Sequence, residues 1–136
     1  MLPFTGVKSV GDVAVDGVGN VYATDTADNR VYRLAAGSND PTALPFTGLD
    51  NPWHIAVDKD GNVYVTDRGR RVGRLAAGSN EQSVVPFAGL QWPDDVAVDG
   101  AGNVYVSDSP SHRILKLAAG TTDQSAVSIG GIDGFT

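Results

Sequence analysis

The chain has 136 residues, 41% of them apolar, and a net charge of −6; this suffices for one packed domain and is the wrong sign for general binding to a phosphate backbone. It has no cysteine, which excludes a disulfide framework, a thiolate metal site and a cysteine nucleophile. No stretch approaches the roughly 20 apolar residues of a membrane span, and 17 glycines and 7 prolines beside a single methionine favour turns over long helices.

The first six residues lack a basic region followed by an apolar one, so no signal peptide is read there. They contain Leu2-Pro3-Phe4-Thr5-Gly6, a block that returns as Leu44-Pro45-Phe46-Thr47-Gly48 and Val85-Pro86-Phe87-Ala88-Gly89. Next comes Val13-Ala14-Val15-Asp16, repeated as Ile55-Ala56-Val57-Asp58 and Val96-Ala97-Val98-Asp99. Gly19-Asn20-Val21-Tyr22 recurs at 61–64 and 102–105, and Leu34-Ala35-Ala36-Gly37 at 75–78 and 117–120. Phe4 to Phe46 is 42 residues and Phe46 to Phe87 is 41. Three copies in register, at this period, mark a repeat architecture.

Within a copy, the Val-Ala-Val-Asp block predicts the first strand. The Asp16–Asn20 segment predicts a hairpin turn in which glycine supplies positive φ. A second strand is expected over Val21–Thr24, a polar loop over Asp25–Asn29, and a third strand over Arg30–Leu34. The Ala-Ala-Gly-Ser-Asn turn then leads to a fourth strand through Leu44-Pro45-Phe46. Pro45 has no N–H to give a ladder, so that strand belongs at an edge. Four strands in about 42 residues describe a propeller blade. The expectation is an all-β domain over residues 1–136: three four-stranded antiparallel blades at 7–48, 49–89 and 90–132, with a tail at 133–136.

The run Leu44 to Pro52, the run Asn62 to Asp67 and the run Leu75 to Asn80 resemble the NHL-repeat β-propellers. Within them the resemblance is nearest to the sensor domain of a mycobacterial serine/threonine protein kinase and the symmetric designed Pizza propellers built from it. The near-identity of the blocks suits either recent duplication or design. The resemblance implies a closed six-bladed ring, with each first strand lining a central channel and each fourth strand outermost. The resembled sensor domain is extracellular. Three blades are too few to close, because propellers have about four to eight. Two chains give six through a two-fold axis, so the expected partner is a second copy in a homodimer. Four segments compete for three outer-strand places: Met1–Gly6 and Val127–Ile132 are both candidates for the third blade. The better-formed first segment favours exchange into the partner.

The repeated residues read as structure. Asp25 and Arg30, Asp67 and Arg71, and Asp108 and Arg113 pair an acid that organises the second loop with an arginine. Asp58-Lys59-Asp60-Gly61-Asn62 begins like a calcium loop but lacks its distal glutamate, so a plain turn is expected. Phe4, Phe46, Phe87, Tyr22, Tyr64 and Tyr105 read as packing between blades, with the phenols reaching polar partners.

The copies differ where Gly11-Asp12, Trp53-His54 and Asp94-Asp95 align, just before the first strand. The resemblance puts these positions at the mouth of the channel on the top face. Asp12, His54 and Asp95 are oxygen and nitrogen donors suited to a divalent cation or a cationic ligand, and a dimer doubles them to four carboxylates and two imidazoles. Trp53, Arg68 and Asp94 complete the candidate ligand-binding set. Trp53 and Trp92 are expected to pack on neighbouring blades. Arg68, Arg70, Arg71 and Lys8 form a basic cluster read as solvated surface, and His112 reads as a loop residue. The functional expectation is a non-enzymatic scaffold or binding module, without a cofactor, that takes a small ligand or protein on its top face. A metal-dependent lyase or hydrolase at the channel mouth is the alternative, and nucleic acid is disfavoured by the charge.

Overall fold

The computed structural model describes residues 8–38, 40–46, 48–68, 71–78, 82–87, 89–108 and 113–127. Strands β1 (Val10–Val15), β2 (Val21–Asp25), β3 (Arg30–Leu34) and β4 (Thr42–Ala43) form one sheet. A second comprises β5 (Ile55–Val57), β6 (Val63–Thr66), β7 (Val72–Leu75) and β8 (Gln82–Val85). A third comprises β9 (Pro93–Val98), β10 (Val104–Asp108), β11 (Arg113–Leu117) and β12 (Gln124–Ala126). Each is an antiparallel meander in sequence order. The all-β, three-blade expectation is met, and there is no helix among the described residues.

The turns between first and second strands close through Gly19, Gly61 and Gly102, at φ of 92°, 87° and 90°. A side chain there strains the backbone, which explains the glycine in every copy. Asp16, Asp58 and Asp99 cap these turns. Asp16 Oδ1 accepts from the N–H groups of Val18 and Asn20, and Oδ2 from the Asn20 amide and the Tyr22 hydroxyl. Asp58 and Asp99 repeat this pattern with Asn62 and Tyr64, and with Asn103 and Tyr105.

The Asn103 amide is the largest influence on Asp99; with the Asn103 and Ala101 N–H groups and the Tyr105 hydroxyl it outweighs desolvation and holds the carboxyl at about 2. Burial pushes Asp16 up, but the Asn20 and Tyr22 hydrogen bonds overcome it and the carboxyl stays below its usual value. A carboxyl lowered by folding stabilises the fold above its unfolded pKa of about 4. Stability is therefore expected to be level down to about pH 4 and to fall as pH drops towards 2. Urea titrations across that range read the slope; unchanged midpoints would contradict the turn geometry.

The fourth strands differ from expectation. They end at or before the first residue of the Leu-Pro-Phe block and do not run through its proline: β4 stops at Ala43 and β8 at Val85. Leu44 donates one more bond to the Val31 carbonyl, and then Phe46 N bonds back to Leu44 O; Phe87 N does the same to Val85 O. Proline cannot extend the ladder, so the chain turns and the phenylalanine crosses to the next sheet. The Phe46 ring reaches Gly73 on β7, where a Cβ would lie 3.6 Å from it. The block is thus the link between blades. β12, just ahead of the expected Val127–Ile132 segment, completes the third sheet from the same chain. Of the segments expected to compete for this place, Met1–Gly6 and residues 128–136 lie outside the described residues.

The core sits between sheets. Tyr22, Val31, Leu49, Ile55, Val63 and Val65, with Phe46, join the first sheet to the second. Tyr64, Val72, Val85, Val96, Val104, Val106 and Leu117, with Phe87, join the second to the third. Packing between blades is therefore the role of Tyr22, Tyr64, Phe46 and Phe87, as the repeat implied; Phe4 is outside the described residues. The middle sheet is covered on both faces. On the first sheet's outer face, Val13 is 47% exposed, whereas its repeat equivalents Ile55 and Val96 are 4% and 5% exposed. Val15 is 60% exposed. On the outer face of the third sheet, Tyr105 and Ile114 are only partly covered, although their equivalents Tyr64 and Val72 are buried.

Candidate functional site

The segment before each first strand is anchored by an acid at the end of the second strand. Asp25, fully buried, accepts from the N–H groups of Lys8 at 3.0 Å, Ser9 at 3.2 Å, Ala27 at 3.1 Å and Asp28 at 3.3 Å. Burial pushes its carboxyl up, and the four donors more than reverse this, so it stays below its usual value. Asp67 accepts from Asp50 N, and Asp108 from the N–H groups of Gln91 and Trp92. The expected arginine pairs form twice, Arg71 to Asp67 at 3.6 Å and Arg113 to Asp108 at 3.9 Å. Arg30 does not reach Asp25, whose oxygens are taken by main-chain donors.

A hydroxyl set that the sequence reading missed fixes the next residues. The Thr24, Thr66 and Ser107 hydroxyls accept from the N–H groups of Asp12, His54 and Asp95 at 2.9, 3.3 and 3.1 Å. Thr24 and Thr66 also donate across the gap between sheets, to the carbonyls of Trp53 and Asp94. The signal was present as a hydroxyl at the same place in all three second strands.

These anchors bring the divergent positions together. His54 Nδ1 lies 3.3 Å from Asp12 Oδ2 and 3.6 Å from Asp95 Oδ1, and its Nε2 lies 3.5 Å from Asp94 Oδ1. The residues come from three successive sheets. Asp12 Oδ2 also accepts from Ile55 N, tying the first sheet to the second. Gly11 lacks a side chain for a steric reason: a Cβ there would meet Thr26 at 2.7 Å, the Thr24 hydroxyl at 2.9 Å and the Trp53 carbonyl at 3.1 Å.

Trp53 and Trp92 depart from expectation: both are half-exposed. They line a shallow depression with Thr66, Asp67, Arg68 and Pro93. The basic cluster is partly committed to the fold. Lys8 pairs with Asp28 at 3.2 Å, Arg71 donates to the Gly48 carbonyl, and Arg68 faces the Asn51 side-chain oxygen when that amide is turned towards it. Arg70 and His112 lie outside the described residues.

Residues 49–75 and 90–117 match the NHL repeat, covering the first three strands of the second and third sheets. The match thus falls on two of the three sheets. No curated protein matches the chain in sequence. Among solved structures, a chain of a nidogen/laminin complex is similar over 92% of this chain and 50% of its own, with 23% identity and a TM-score of 0.79. The virginiamycin B lyase of Staphylococcus aureus is similar over 96% of this chain and 44% of its own, at 17% identity and a TM-score of 0.74. A gluconolactonase of Xanthomonas campestris is similar over 93% and 49%, at 16% identity and a TM-score of 0.73. These likenesses establish the β-propeller fold, and the chain spans about half the length of each structure.

Proposed function

We propose that the protein is a non-enzymatic binding scaffold, half of a six-bladed propeller, closed by a second copy of itself. The observation that carries this reading is the exposure of Val13 and Val15 on one end sheet, set against burial of the equivalent Ile55 and Val96 inside the chain. The chain already makes this contact twice, between its first and second and between its second and third sheets. Repeat symmetry lets the third sheet of one copy meet the first sheet of another in the same way, and a two-fold axis makes the contact twice and closes the ring. An open arc would leave apolar faces that soluble monomers rarely keep. Ser107 has the same logic: its equivalents donate across the gap to the next sheet, and its counterpart carbonyl in a closed ring is Gly11 of the second copy.

In this reading the top face, with Asp12, Trp53, His54, Arg68, Asp94 and Asp95, receives a small ligand or a protein. The resemblance to a kinase sensor domain and to the designed propellers supports recognition or assembly over catalysis. The alternative, a metal-dependent lyase or hydrolase, is favoured by one observation, the convergence of Asp12, His54 and Asp95. Sedimentation equilibrium tests the scaffold reading. A mass of twice the 14.1 kDa chain supports it, and a stable monomer at micromolar concentration removes it.

A further inference from the structure

We infer that Asp12, His54 and Asp95 hold one borderline divalent metal ion, of the zinc or cobalt kind, within a single chain. One donor atom from each of the three lies within 4.8 Å of the others. Oxygen and nitrogen ligands sit about 2.0–2.2 Å from zinc, so two of them on one tetrahedral ion are roughly 3.3–3.5 Å apart. The His54 Nδ1 distances of 3.3 Å to Asp12 and 3.6 Å to Asp95 already match that spacing.

The histidine supplies the second argument. Both of its ring nitrogens face carboxylate oxygens: Nδ1 faces Asp12 and Asp95, and Nε2 faces Asp94. A neutral imidazole has one N–H. The ring contact of hydrogen-bond geometry is Nδ1 to Asp12 Oδ2 at 3.3 Å, which an Nδ1–H would donate; with the proton on Nε2 instead, 3.5 Å from Asp94 Oδ1, the Nδ1 lone pair points at two carboxylates. An ion at this point turns three mutually repelling donors into ligands. Asp94 then plays the part of the carboxylate that fixes the tautomer of a metal-binding histidine. No lysine or arginine among the described residues pairs with Asp12 or Asp95.

The donors are also held in place. Their backbone N–H groups are fixed by the Thr24, Thr66 and Ser107 hydroxyls. The two carboxylates are braced at 2.8 Å by the N–H groups of Val13 and Val96. A mixed set of one imidazole and two carboxylates favours zinc, cobalt or nickel over magnesium or calcium, which prefer all-oxygen sites. Three protein ligands leave a coordination position open to water or to a ligand on the top face.

The test uses the full chain stripped with chelator, titrated with zinc chloride by calorimetry and with cobalt(II) chloride by visible absorption. One ion per chain and cobalt ligand-field bands are expected. His54→Gln, Asp12→Asn and Asp95→Asn should each weaken binding by more than about tenfold, and Asp94→Asn by about tenfold, the range seen for partners behind metal ligands. His112→Gln, at the other histidine in the sequence, should leave it unchanged. Circular dichroism checks that each variant keeps its strands. No saturable binding, or binding indifferent to His54→Gln in a folded protein, overturns the inference. Because the three ligands belong to one chain, a monomeric Ile114→Asp variant should still take up the ion, so loss of ring closure and loss of the metal site are read separately.

Discussion

Replacing Ile114 by aspartate is expected to convert the protein from a species of twice the chain mass to a monomer of 14.1 kDa. Ile114 lies on the outer face of the third sheet with Ala97 and Tyr105, and its equivalent Val72 is fully buried between sheets. Aspartate at a face that must become dry costs far more than the loss of a partly exposed side chain, because a buried unpaired carboxylate is strongly disfavoured. Val15→Asp, on the complementary face of the first sheet, should do the same. Both positions are open within one chain, so neither substitution disturbs the two internal cores, and the strand signal in circular dichroism should persist. If both variants kept the doubled mass, association would have to use another surface and the closed ring would be wrong.

The second large effect is expected at Asp25. Asp25→Ala removes the acceptor for four main-chain N–H groups at the entry to the first sheet, in a site without solvent access. Hydrogen bonds to a charged group contribute about 1.5–3 kcal/mol each in isolation, and leaving buried donors unsatisfied costs about 1–3 kcal/mol. These donors share one carboxylate, so the expected net loss is about 2–4 kcal/mol rather than the sum. Asp25→Asn keeps one oxygen but turns an NH2 group towards donors, and should fall between wild type and alanine. Urea unfolding at fixed protein concentration measures both. A loss within about 0.5 kcal/mol, typical of surface changes, would show that the clamp is incidental.

The blade and its turns were legible because each depends on local chemistry. Gly19, Gly61 and Gly102 announce positive φ, and the alternation in Val21-Tyr22-Ala23-Thr24 announces a strand with two different faces. The fourth strand was misplaced because Leu-Pro-Phe is the most recognisable block in the repeat, whereas the outer strands, such as Thr42–Ala43 and Gln124–Ala126, have little common pattern. An outer strand pairs through one edge and is largely exposed, so packing constrains its side chains weakly. The Asp12, His54 and Asp95 grouping was readable from the repeat register together with the propeller resemblance, which brings equivalent residues of successive blades together around an axis. The part of Asp94 was not, because its carboxylate meets His54 through a contact between sheets that no spacing within a repeat encodes. The exposure of Trp53 and Trp92 was likewise hidden: an aromatic residue before a strand gives no sign of which side of the loop it occupies.

Among the described residues the two hydrophobic cores join each sheet to its neighbour in sequence, so the blades form a short linear array with two end sheets. In such arrays stability is the sum of each unit and its nearest-neighbour contacts. The middle blade has two such contacts and the end blades one each, so thermal opening begins at the ends. Joining two arrays head to tail abolishes ends altogether: all blades acquire two neighbours, and none is a place for unravelling to start. The fold's resistance to unfolding then depends on how much protein is present, and dilution alone, without heat or denaturant, is enough to restore the ends.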